Sequence, residues 1–152
     1  MKSLLVLSLL LLPGAGFAQQ APLPAAKPPI VVPPKKANAA IIQRRDSGLV
    51  ALTALMQGLV TRGYTIKDID RQALTVRTEP RAVSEVGAVV LEGAVRGRQL
   101  VLTGAFAPEL DSRHSAPIVY PGEGRPGRAA EAWEELVKTA GVIGRNVSFR
   151  AQ

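Results

Sequence analysis

The sequence predicts an α+β domain in which an antiparallel sheet of four strands, or five with a short last one, carries two helices on one face. Three observations lead there. Two segments repeat apolar residues every three to four positions, the period of an amphipathic helix. The stretch between them alternates apolar with polar residues, the period of a half-buried strand. The alternating segments are joined by short turns, and strands that follow one another on short turns pair antiparallel and share a layer with the helices. The expected order is helix–β–β–β–β–helix, with a further strand near the end.

The first helix carries Leu49, Leu52, Met56, Leu59 and Val60, and Leu55 widens its stripe. Asp46 or Ser47 is placed to cap it, because a short side-chain oxygen accepts an orphan N–H of the first turn. Gly63, after Arg62, is a C′ residue that takes the left-handed turn without a Cβ penalty. Residues Ala39 to Arg45 either extend this helix or form a separate element. Tyr64 and Ile66 lead into a polar turn from Asp68 to Gln72. Leu74, Val76 and Thr78 then alternate with Thr75, Arg77 and Glu79 until Pro80 stops the strand. From Val86 to Arg96, Val89, Leu91 and Val95 alternate with Ala88, Val90 and Ala94. A tight turn at Gly97-Arg98 returns the chain through Leu100, Leu102 and Phe106 as a hairpin. The second helix repeats the first pattern with Ala130, Trp133, Leu136, Val137 and Ala140. Glu134 stands four residues before Lys138 on its polar side. Pro126 and Gly127 mark its entry, Gly141 or Gly144 its exit, and Asn146 to Arg150 forms the short last strand.

Ahead of this domain the chain changes character twice. Lys2 precedes an apolar run from Leu4 to Leu12 interrupted only by Ser8, and Gly16-Phe17-Ala18 offers small residues where a signal peptidase reads. That is the pattern of a secretory signal peptide over residues 1–18, cleaved near Ala18. The run is too short for a span that needs about 20 apolar residues, so no transmembrane segment is expected in the mature chain. Gln19 to Ala40 holds six prolines with Lys27, Lys35 and Lys36. Such a stretch forms a disordered, polyproline-like tether and buries no core. The single folded domain is then expected over residues 41–152. A chain without cysteine carries no lipid-attachment thiol, and thiolate catalysis and Cys-ligated metal chemistry are excluded with it. The expectation is a protein exported to the periplasm or the extracellular space and soluble after cleavage.

The net charge of +7 suggests nucleic acid until it is divided along the chain. From Ile41 onward fifteen basic residues face twelve acidic ones, so the folded part is only +3. Its arginines are scattered, and Tyr64, Phe106, Tyr120, Trp133 and Phe149 sit in separate elements. A single-strand platform needs aromatics on one face within a basic groove, so no nucleic-acid partner is expected.

The junction Leu59-Val-Thr-Arg-Gly-Tyr64-Thr-Ile66, the strand Leu74-Thr-Val-Arg-Thr-Glu-Pro80, a hairpin and a Trp133-Glu-Glu-Leu136 helix follow in order. Over residues 45–150 this succession resembles the small periplasmic α+β domains, of helix-grip type, in the accessory lipoprotein of the outer-membrane β-barrel assembly machine. The chain departs from them in having no lipidated cysteine and one such domain rather than two. The resemblance implies a non-catalytic envelope protein and carries over no partner.

Three motifs that could carry chemistry resolve into structure. Gly122-Glu-Gly124-Arg-Pro-Gly127 spells the dinucleotide fingerprint. Only Ile118-Val119-Tyr120 precedes it, however, and Pro126 removes an N–H that would face phosphate. No acidic residue follows Glu135 to meet a ribose, so the glycines read as turn-formers and no cofactor is expected. Asp111, Ser112, His114 and Ser115 are too close in sequence to converge as a triad, and no nucleophile elbow exposes a serine. Asp68 and Asp70, flanked by Lys67 and Arg71, read as turn residues rather than calcium ligands.

What remains is the Pro- and Gly-rich connection from Ala107 to Gly127, long enough to be functional. Arg113, His114, Tyr120, Arg125 and Arg128 are its candidate partner-binding residues. The chain is thus expected to be no enzyme but an exported envelope domain that binds a protein or an envelope polymer, through this loop or by strand addition at a sheet edge. One alternative is a tethered structural protein whose basic Pro-rich segment meets a polyanionic surface. A hydrolase using His114, the single histidine, is the remaining one.

Overall fold

The segment that precedes the first helix, Ala39–Gln43, is a strand (β1), and its place in the sheet organises the rest. The computed structural model describes residues 32–110 and 114–152. The expected signal peptide and residues 19–31 of the expected tether lie outside the described residues. The tether's expected end at residue 40 falls inside β1, because Ala37, Ala39 and Ala40 are already packed away from solvent. β1 pairs antiparallel with strands on both sides, and side chains on both of its faces are buried. A strand buried on both faces shows no alternation, which is why periodicity leaves it undecided.

Helix α1 (Gly48–Thr61) follows, started at Ser47 and closed at Arg62, with Gly63 in the expected left-handed turn at φ 83°. Then come β2 (Ile66–Asp70), β3 (Thr75–Thr78), β4 (Arg81–Val83), β5 (Gly87–Arg96), β6 (Gln99–Ala107) and β7 (Ala116–Pro117). Helix α2 (Arg128–Ile143) and β8 (Val147–Arg150) complete the order. The class is α+β as expected, but the described sheet has eight strands, all in antiparallel pairs, rather than four or five. Three strands escaped the reading: β1 for want of alternation, and β4 and β7 because three and two residues carry no period at all. The expected polar turn from Asp68 also begins later, since β2 runs on to Asp70 and the reversal spans Arg71 to Leu74.

The main path across the sheet is β2-β3-β5-β6-β1-β8, with β4 beside β5 and β7 beside β6. The β5–β6 hairpin is its spine, paired from Ala88↔Ala107 to Arg96↔Gln99 around Gly97-Arg98. Gly97 has φ 60°, and a positive φ at the first position of a two-residue loop is what a type II′ turn requires. The hairpin sends Val89, Leu91, Val95, Leu100 and Leu102 to the helix-covered face, where Leu55 and Leu59 of α1 and Leu136 and Ala140 of α2 meet them. Each such side chain contributes about 1.5–3 kcal/mol when fully withdrawn from water. The two helices meet each other at Gly58, where a Cβ would collide with the side chain of Ile143. Across the sheet, Gly93 leaves the space that Leu55 fills, since a Cβ there would lie 2.6 Å from its Cδ2.

Candidate functional site

Helical phase on α2 places one carboxylate among its apolar residues. Ala132, Trp133, Leu136, Thr139, Ala140 and Ile143 form the buried stripe, and Glu135 lies within it at 6% exposure. Four donors satisfy it. Arg62, the residue that closes α1, donates from Nη2 to Oε2 at 2.6 Å. Arg81, the first residue of β4, donates from Nη1 to Oε1 at 3.0 Å, and the Tyr64 hydroxyl donates to the same oxygen at 3.0 Å. Thr139, one turn along α2, adds a longer bond of 3.3 Å. The Arg81 guanidinium also stacks over the Tyr64 ring at 4.7 Å, a cation–π contact.

Burial alone would raise the Glu135 pKa, but the bonds from Arg62 and Tyr64 and the charges of Arg62 and Arg81 outweigh it. The carboxyl is held below its ordinary range and stays ionised at neutral pH. Burial pushes the Tyr64 phenol far up, and the neighbouring Glu135 charge pushes it further. A carboxylate whose lone pairs are spent on four donors, beside a phenol that keeps its proton, fixes positions rather than transferring protons. The cluster is a clasp binding α2 to the end of α1 and to β4. It is imperfect, since the Arg62 Nε is buried with no hydrogen-bond partner among the described residues. Sequence reasoning missed it, although a charged residue three after Ala132 and four before Thr139, in the buried phase, was the available signal.

A second polar junction holds the other end of α1. Arg44 grips Asp46 with two bonds of 2.7 and 2.8 Å, and its Nη1 donates to the Ile143 carbonyl at the end of α2 at 3.2 Å. A cation there also suits the negative end of the helix dipole.

The five residues expected in the 107–127 connection are placed apart. Arg113 lies outside the described residues. His114 is exposed just ahead of β7. Tyr120 is half-buried: its N–H donates to the Ala37 carbonyl at 2.7 Å and its ring packs on Trp133 at 5.5 Å. It helps hold the connection down. Arg125 shares a shallow recess of about 590 Å³ with Tyr120, whereas Arg128 lines a different one, of about 770 Å³, with Glu85 and Glu109. The connection is also less free than its composition implies, because β7 joins the sheet and Ile118 is fully buried. Gly122, Gly124 and Gly127 all have positive φ, between 68° and 128°, the turn-forming role expected of them.

On the face of the sheet away from the helices, a groove of about 510 Å³ runs past Asp68, Asp70, Arg77, Glu92, Thr103 and Gln152. Arg77 and Glu92 pair across the strands at 3.3 Å, and Asp70 Oδ1 accepts the N–H groups of Gln72 and Ala73, so it builds the turn. Among the described residues no three His, Asp or Glu side chains gather as a metal site. No described helix is long and apolar enough to cross a membrane.

The outer face of α1 differs from all of these. The helix has no charged side chain in fourteen residues. Leu49, Val50 and Val60 stand 57%, 65% and 57% exposed. The exposed Thr53 and Thr61 donate their hydroxyls back to the carbonyls of Leu49 and Gln57. No protein-family model and no curated protein matches this chain.

Proposed function

We propose that this chain is an exported, non-catalytic envelope domain whose task is to bind a partner protein, and that the outer face of α1 is the contact. One observation carries the reading: a helix free of charge along its whole length keeps three large apolar side chains in water. Isolated exposed apolar residues are ordinary, but a helix face without any charge that carries Leu49 and Val50 at one end and Val60 at the other has the charge-depleted composition of an interface. The rest of the fold supports such a role. Leu52, Leu55 and Leu59 root the inner side of α1 in the core, and the Arg44 and Glu135 junctions hold its two ends. The face is therefore presented by a fixed scaffold and meets a partner without an ordering penalty. An encounter outside the cytoplasm is part of this reading, which the signal-peptide pattern of residues 1–18 and the resemblance to envelope domains support.

The experiment is site-specific photo-crosslinking in the cell that makes the protein. A crosslinking residue in place of Val50 or Val60 is expected to trap one partner band. The same residue in place of Lys138, an exposed position of α2, is expected to trap none. Equal trapping from both helices, or none from either, would refute the reading.

A further inference from the structure

The main path across the described sheet ends at β2 and β8, the short β4 and β7 lying off it, and these two ends are built differently. The β2 edge carries exposed Lys67, Asp68 and Asp70, and its register with β3 shifts between Ile66 and Asp68. Charges and an irregular register are the devices that keep an edge from pairing with another strand. The β8 edge has no such irregularity: it pairs with β1 in continuous register from Ala39↔Arg150 to Ile42↔Val147.

The direction of its backbone groups follows from two bonds. The Asn146 carbonyl accepts from Gln43, and the Arg150 carbonyl accepts from Asn38. Residues 146, 148 and 150 therefore turn their amides toward β1, and alternation turns those of Val147 and Phe149 outward. Among the described residues no strand meets that outward row. The side chains of Val147 and Phe149 lie half-buried on the helix-covered face, with Phe149 against Trp133 at 5.2 Å. The edge thus offers donors, acceptors and an incomplete apolar margin together.

We infer that a second copy of this chain occupies this edge, β8 pairing antiparallel with β8 about a two-fold axis through Ser148. The argument for a copy rather than an unrelated strand is register and charge. With the axis at Ser148, Val147 of one chain faces Phe149 of the other, and these are the two residues whose amides point outward. Both pairs exchange hydrogen bonds, and an aromatic side chain meets a β-branched one on the apolar side, a favoured cross-strand match. Arg150 falls opposite Asn146, so no like charges face each other. The contact closes after two copies, since a two-fold interface uses the same surface on each. The surface is separate from the outer face of α1, so this inference and the proposed function fail independently.

Light scattering on the full chain tests it, with the expectation of twice the chain mass and dissociation on dilution. Val147→Pro removes an outward N–H while leaving the β1 pairing, which turns on the neighbouring residues, and proline is tolerated at such an edge position. It is expected to weaken the dimer roughly tenfold or more, the scale of losing two backbone bonds, one from each copy, with unchanged circular dichroism. A second variant does not depend on that fold surviving proline. Ser148 meets its own copy as a non-hydrogen-bonded pair, at a Cα separation of about 4.5 Å that suits a disulfide. Because the chain has no cysteine, Ser148→Cys is expected to give a single crosslinked dimer on oxidation, and Gln99→Cys none. A chain monomeric at every concentration, or a dimer that Ser148→Cys fails to trap, overturns the inference.

Discussion

Glu135 is the residue on which the interior polar chemistry converges. Glu135→Gln keeps the shape but leaves Arg62 and Arg81 without a counter-charge at sites where they are less than a third exposed. Removing one partner of a buried pair is costly because the others stay desolvated. The expected loss is about 2–3 kcal/mol in urea unfolding, set below the fully buried range because both guanidinium groups reach water. The same residue sets an acid limit. Its folded pKa lies below the ordinary value of 4.5, so its stabilisation is present above that pH and is lost as pH falls through the lower folded value. Thermal melts between pH 6 and 3 are expected to show a steep fall for the natural chain and a flatter one for Glu135→Gln. Tyr64→Phe, which removes a single neutral donor, is expected to cost about 1 kcal/mol in the same assay.

At the scale of elements, what could be read from the sequence depends on how much of each element faces water. The stripe of α2 is visible because that helix is one-sided, whereas on α1 Leu52, Leu55 and Leu59 are buried but Leu49 and Val60 of the expected stripe stand on the outer face, because the helix is apolar all round. β5 alternates from Leu91 to Arg96 because the two faces of the sheet have different neighbours, but β6 is buried without a break from Leu100 to Leu102. β1 fails that test, with Ile41 buried on one face and Ile42 on the other. The Glu135 clasp was illegible for a further reason: its members come from positions 62, 64, 81 and 135, joined only by the fold. Composition marks the candidate loop residues but does not separate Tyr120, which packs on Trp133, from Arg125, which faces solvent. The α1–α2 contact gives the sharpest test at this level. Gly58→Ala raises helix propensity by up to about 1 kcal/mol, yet it drives a methyl group into Ile143. Overpacking of a tight contact costs about 1–3 kcal/mol, so a net loss of stability is expected in denaturant unfolding, and a double-mutant cycle with Ile143→Ala, which removes the Cγ1 that the new methyl group meets, is expected to show favourable coupling.

For the molecule as a whole, the order of strands matters more than their number. β1 sits between β6 and β8, so the first described strand closes its pairing only with the last. Deleting residues 147–152 strips one side of β1 and uncovers Phe149's place against Trp133. The truncated chain is expected to lose its cooperative thermal transition, as followed by Trp133 fluorescence, whereas the full chain keeps one. Folding should also be slow for its size, because pairings of such separation must close long loops before they contribute.

The Arg150 carbonyl accepts from Asn38 and the Asn38 side chain accepts from Gln152, so the chain enters and leaves this domain at one corner. A few residues of linker would join the two points into a ring, with fresh ends opened at Gly97-Arg98. Anything fused at either side of the domain emerges from that same corner, beside Val147 and Phe149. Bulky tags there would crowd the seam between copies, and short ones would leave it open.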